Sequence, residues 1–329
     1  MGPLITPGFH HVTVVSRDAR RSVHFYRDVL GLAMAGTAAD DADGQHLYFG
    51  DVQGRPGTLV AVLEWPRAGH GTAGIGGVHH TAFGVATDEA LLKWKRYLGD
   101  QGVPVSGPYD RGYFTSLYFR DPDGQVLEIA TAGPGYAIDE PADALGRELR
   151  LPPERIVVGH RDEAAIAALT HPEPMPSITP DMALSGIHHV SGITDDLERA
   201  GDFYEATLGL RLVKKTTNRD APDTLHYFWA RYDGQEVAPR SSWTLFGWPP
   251  GWKQVRAGTG QTHHVGFRVG GDEALGAWVD HLRAMGVETS EVMDRGFFRG
   301  VCFRAPDGLL LQLATDGPGF AGAGQGSAT

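Results

Sequence analysis

The chain has 329 residues, a formal net charge of −11, 41% hydrophobic and 21% charged residues. That length supplies two domains or one duplicated domain, and the acidic balance excludes nucleic acid or an anionic membrane as the expected main partner. No apolar run reaches the roughly 20 residues of a spanning helix; a lone cysteine, Cys302, rules out an internal disulfide, and the N-terminus lacks signal-peptide regions, so a reducing, cytoplasmic setting is expected.

In chain order, the first expected element is the strand His11-Val-Thr-Val-Val15, opened by Gly-Phe-His10-His11-Val. A helix over Ser22–Leu30 follows, with Phe, Tyr and Leu at helical spacing and Gly31 as its stop. Three short strands complete the unit, which ends near Pro66. The second unit starts at Gly-Val-His79-His80-Thr and closes with Thr115–Arg120, the turn Asp121-Pro-Asp-Gly124 and Gln125–Ile129, a hairpin signature. The third begins at Gly-Ile-His188-His189-Val, with a helix at Ala200–Leu208 and a stop at Gly209. The fourth begins at Thr-His263-His264-Val. Each unit therefore reads β-α-β-β-β, and the fold class is α+β.

A longer period overlies this one. Trp65-Pro66 matches Trp248-Pro249, and Asp110-Arg-Gly-Tyr-Phe114 matches Asp294-Arg-Gly-Phe-Phe298. The order is A-B-A′-B′, which points to two tandem two-unit domains, 1–136 and 184–320. Between them, 137–183 reads as a wrapping segment and a Pro-rich linker. The Gly- and Ala-rich tail, 321–329, reads as disordered.

Adjacent strand residues point to opposite faces, so one histidine of each doublet can face a shared cavity. A third ligand is expected, usually a carboxylate. Glu128 stands in an apolar strand where an unpaired charge is costly. It lies 48 residues after His80, and Gln312 lies 48 residues after His264. With adjacent units paired, the first half offers His11, His80 and Glu128 as metal ligands. The second offers a degenerate set, His189, His264 and Gln312. Adjacent pairing is preferred because each half then mirrors the other; if unit two instead pairs with unit three, His189 replaces His11. His24, His46, His70, His160, His171, His226 and His281 lack a repeated context and are read as structural. Two histidines, one carboxylate and open positions suit non-haem Fe(II) chemistry.

The doublets, together with His46-Leu-Tyr-Phe-Gly-Asp51, Arg111-Gly-Tyr-Phe-Thr-Ser-Leu-Tyr118 and Leu127-Glu128-Ile-Ala-Thr131, resemble the vicinal oxygen chelate superfamily (glyoxalase, bleomycin resistance, extradiol dioxygenase). Within it the chain looks most like ring-cleaving dioxygenases that act on hydroquinones. The resemblance implies four βαβββ units in two tandem domains and a metal held by His11, His80 and Glu128. It implies catalytic roles for His10, His79, Arg111 and Tyr118, with Thr13, Arg111 and Tyr118 meeting the substrate. The cofactor implied is Fe(II), with Mn(II) or another divalent metal as alternatives. The partners implied are a small hydroquinone- or catechol-like substrate and O2, with no nucleic acid or membrane and homo-oligomerisation left open. Two other activities fit the same resemblance: a glyoxalase-type metal-dependent isomerase or lyase, and a non-catalytic aromatic-binding resistance protein.

Overall fold

The computed structural model describes residues 4–39 and 44–320; the tail expected to be disordered, 321–329, lies outside them. Four βαβββ units are present, as the periodicity requires. The first holds β1 (Phe9–Ser16), α1 (Ala19–Val23), β2 (Ala33–Ala39), β3 (Gln45–Gly50) and β4 (Leu59–Glu64). The expected helix over Ser22–Leu30 begins three residues earlier, capped by the Asp18 carboxylate, and widens into π geometry at His24–Val29. The second unit holds β5 (Val78–Val85), α2 (Asp88–Asp100), β6 (Ser106–Asp110), β7 (Thr115–Arg120) and β8 (Val126–Thr131). After a short α3 (Glu163–Ala168), the third holds β9 (Ile187–Thr194), α4 (Leu197–Leu208), β10 (Arg211–Asn218), β11 (Ala221–Ala230) and β12 (Ser242–Gly247). The fourth holds β13 (Thr262–Gly270), α5 (Asp272–Ala284), β14 (Met293–Asp294), β15 (Phe298–Arg304) and β16 (Leu310–Pro318). Gly209 ends α4 in the left-handed conformation, φ 66°, the geometry a glycine stop supplies.

The strands form two eight-stranded sheets, ordered β14-β15-β16-β13-β1-β4-β3-β2 and β10-β11-β12-β9-β5-β8-β7-β6. Units one and four share the first sheet; units two and three share the second. The expected adjacent pairing is therefore corrected: 1–136 and 184–320 are repeats along the chain, but each gives one unit to each sheet. The cause lies in the connectors after Trp65-Pro66 and Trp248-Pro249. They run beside each other through bridges His70 to Thr259, Thr72 to Arg256 and Ile75 to Gln254, and each carries the chain from one sheet to the other. The aromatic side chains between the sheets and helices, including Phe9, Phe83, Trp94, Trp243 and Phe267, form one continuous core.

Segment 137–183 wraps the sheet of units two and three. The buried Lys214 ammonium meets Asp139 and, at 2.6 Å, Glu140. Val158 N–H donates to Arg219 O at 2.9 Å. Lys95 Nζ caps α3, donating to the carbonyls of Ile166, Ala167 and Leu169. A charged strap held at both ends is an ordered part of the sheet it crosses.

Candidate metal centre

Register places the site. In β5, Ala82 pairs with Glu128 of parallel β8 on one side and with His189 of antiparallel β9 on the other. His80, two residues from Ala82, shares its face. Three side chains thus converge across three neighbouring strands. His80 Nε2 lies 2.9 Å and His189 Nε2 3.4 Å from Glu128 Oε2, and the two nitrogens are 3.2 Å apart. All three residues are buried, and they form a group able to hold a metal ion.

The donor set fits a cation. Glu128 Oε2 is buried and, apart from the two imidazole Nε2 atoms beside it, meets no hydrogen-bond donor, although its other oxygen takes the Ser116 hydroxyl at 2.5 Å. A carboxylate oxygen with so few donors inside a protein is costly; a divalent ion among the three atoms removes that cost. Burial pushes the Glu128 carboxyl up, but the neighbouring His189 and His80 rings outweigh it and hold it well below the usual carboxylate range. Burial lowers His80, with Glu128 opposing. An ionised carboxylate and a neutral imidazole are the forms a metal needs.

The rings within each of the two doublets of this group also meet through their other nitrogens. His79 Nδ1 lies 2.8 Å from His80 Nδ1, and His188 Nδ1 lies 2.8 Å from His189 Nδ1. A histidine binding metal through Nε2 carries its proton on Nδ1 and donates it to a neighbour, which fixes the ring. Here that neighbour is the preceding histidine. Burial first of all pushes His79 and His188 down to about 3, so both remain neutral and can accept.

The cavity beside this group is about 340 Å³ and is lined by His80 and His189. Arg111 and Tyr118, expected at the substrate, both line it. The Arg111 guanidinium lies 5.1 Å over the Tyr118 ring and 5.2 Å over Tyr109, and pairs with Asp220 at 2.9 Å. Asp220 in turn binds Arg161 of the strap at 2.6 Å. Burial raises the Tyr118 phenol well above its ordinary range, against the pull of Arg111. A separate cavity of about 430 Å³, beyond Tyr113 and Phe114, is lined by Tyr136, Leu145, Ile187 and Val237 and by none of the three ligands.

Several expected site residues lie elsewhere. His11, expected with His80 and Glu128, belongs to the other sheet, where its Nε2 is 3.1 Å from His264 Nε2. There Gly266 pairs with both His11 and Gln312, as Ala82 pairs with His189 and Glu128. The set expected to be degenerate therefore changes: His11, His264 and Gln312 share one sheet, and His189 stands with His80 and Glu128 in the other. His10 and Thr13 go with His11: Thr13 Oγ1 is 3.2 Å from His264 Nε2. Their places at the carboxylate site are taken by His188 and by Ser191, whose hydroxyl is 2.9 Å from His80 Nε2. His226, read as structural, lines the same cavity, its Nε2 2.9 Å from Thr244 Oγ1, which meets Ser191 at 2.6 Å. Its signal was the β11 motif His-Tyr-Phe, parallel to His46-Leu-Tyr in unit one. Arg219 was also missed; it sits in the β10–β11 turn, with no repeated motif.

The sequence profile of the Glyoxalase/Bleomycin resistance protein/Dioxygenase superfamily matches residues 8–129 and 186–313. The chain belongs to this superfamily. Relatives within the superfamily that match along almost the whole chain include the proposed ring-cleaving dioxygenase MhqA of Bacillus subtilis, 29% identical over 95% of this chain and 88% of its own length. The chlorohydroquinone/hydroquinone 1,2-dioxygenase of Sphingobium indicum is 24% identical over 93% of this chain and 84% of its own. Among solved structures, a proposed dioxygenase from Bacillus subtilis superposes with a TM-score of 0.73 at 26% identity, covering 97% of this chain and 88% of that one. Glyoxalase I of Zea mays shares the fold, with a TM-score of 0.59 at 17% identity over 94% of this chain and 92% of that one. Among the described residues, no helix is long and apolar enough to cross a membrane.

Proposed function

We propose that the chain is a metal-dependent ring-cleaving dioxygenase acting on a hydroquinone-like diphenol, with His80, Glu128 and His189 as the metal ligands and Fe(II) as the metal. The observation that carries the reading is the buried Glu128 Oε2 facing two imidazole nitrogens, whose rings line a cavity of small-molecule size. Sequence likeness to the hydroquinone dioxygenase over most of the chain supports the substrate class.

When bound there, a redox-active divalent metal supplies Lewis acidity and open coordination positions. The protein supplies the rest. Ser116 holds one Glu128 oxygen so that the other points at the two imidazoles. His79 and His188 fix the ligand rings through Nδ1. Arg111, held by Asp220, offers a fixed cation to a phenolate oxygen of the bound diphenol. Tyr118 keeps its proton and can donate a hydrogen bond to a substrate oxygen. Phe246 and Phe114 line the cavity and limit water around the ring.

The test is oxygen uptake with hydroquinone by protein reconstituted anaerobically with Fe(II), together with metal analysis of the purified protein. Iron bound at one site per chain with stoichiometric oxygen consumption is expected. Iron-loaded protein that consumes no oxygen with any diphenol overturns the activity.

A further inference from the structure

The charges lining the metal cavity do not balance. Arg111 is matched by Asp220. A divalent metal with Glu128 and a singly ionised diphenol is neutral. Two lining cations are left over: Arg120, which is exposed to solvent and donates to Gly124 O at 2.7 Å, and Arg219, which is buried. Arg219 is only 4% exposed. Its partners are all uncharged: Nη1 donates to Tyr113 Oη, Thr216 Oγ1 and Thr217 O at 3.1, 3.3 and 2.9 Å, and Nη2 to Arg111 O at 2.7 Å. Its plane lies 4.7 Å over the Tyr113 ring. Nε–H is buried and meets no acceptor among the described residues. The neighbouring carboxylate, Asp220, is taken by Arg111 and Arg161.

A buried guanidinium without a counter-ion is expensive unless a ligand brings the opposite charge. The planar fork of arginine matches a carboxylate bidentately, and a carboxylate is a common anionic group of small aromatic molecules. We propose that the cavity takes a dihydroxybenzene carrying a ring carboxylate, with Arg219 as the counter-ion of that carboxylate. The proposal rests on the dioxygenase reading for the diphenol and on Arg219 alone for the acid. It explains why this arginine is buried at the cavity wall when its hydrogen bonds to neutral groups could be made by an uncharged side chain.

Anaerobic calorimetric titration of metal-loaded protein with 2,5-dihydroxybenzoate and with hydroquinone tests it. One charge-assisted fork predicts that the acid binds about tenfold tighter or more. Arg219→Met should abolish that difference, the acid losing more affinity than hydroquinone does. Equal affinities in the unaltered protein, or a preference that survives Arg219→Met, overturn the assignment. Should the methionine variant not fold, Arg219→Lys decides: it keeps the charge and loses the fork, so a reduced preference upholds the proposal and an unchanged one refutes it. Tight, Arg219-dependent binding of the acid with no oxygen uptake from either compound removes the dioxygenase reading and leaves this one. Oxygen uptake from hydroquinone without any preference for the acid does the reverse.

Discussion

The two cups share a scaffold and differ in what sits at its centre. In one, Glu128 takes a hydroxyl bond from Ser116, and Tyr118 stands on the neighbouring strand beneath Arg111. In the other, Gln312 occupies the glutamate position, Gly300 the Ser116 position and Cys302 the Tyr118 position, and Gln312 Nε2 reaches Cys302 Sγ at 3.6 Å. Gly266 replaces Ala82, and the space a Cβ would need is filled by the His11 ring, 2.7 Å away. The imidazole pair and its Nδ1 contacts persist in both, at 2.8 to 2.9 Å. The histidine lattice is thus part of the fold. The carboxylate, its hydroxyl support and its tyrosine neighbour occur together, as expected if they serve one chemistry.

The largest effect should come from exchanging equivalent histidines. His189→Ala should abolish metal binding and oxygen uptake, while His11→Ala keeps both; metal analysis of the two proteins reads the result, and the opposite pattern would restore adjacent pairing. Glu128→Gln converts one cup's ligand set into the other's. It should lower metal affinity by at least about 100-fold, since a ligating charge is lost outright and even supporting groups cost 10 to 100-fold. Retention of tight metal by this variant would show that the carboxylate is dispensable.

Ser116→Ala sharpens the comparison at the level of support. Removing one hydrogen bond to a buried carboxylate should weaken metal binding about tenfold, measured by competition with a chelating dye. The smallest effect concerns the amide cup. Burial, chiefly, pushes His10 down to about 4 from 6.5. The unfolded chain therefore binds this proton first as pH falls. Stability should be full above about pH 6.5 and fall on the way to about pH 4, by about 3 kcal/mol from this residue. His10→Gln should flatten that slope in urea unfolding; an unchanged slope would assign the loss to other groups.

Much of this was legible in the sequence. Unit boundaries follow from doublets, helix stops and the Asp-Gly turn, because local chemistry dictates them. Glu128 was legible because a charge inside an apolar strand needs a partner. The choice between His11 and His189 was not. Both head a β-branched run after an apolar residue, so nothing local separates them. The decision is made by two connectors that meet through backbone bridges, which side-chain pattern does not encode. His226 and Arg219 were missed for a related reason: their roles come from which strands surround them.

The crossing connectors also bear on how the molecule is made. His11 touches His264 across 253 positions of sequence, so β1 gains its antiparallel neighbour β13 only after most of the polypeptide has left the ribosome. Until then one edge of β1 is unsatisfied, and a nascent N-terminal fragment exposes it to other chains. Units two and three can join through β5 and β9 earlier, so the carboxylate cup can assemble before the amide cup is complete.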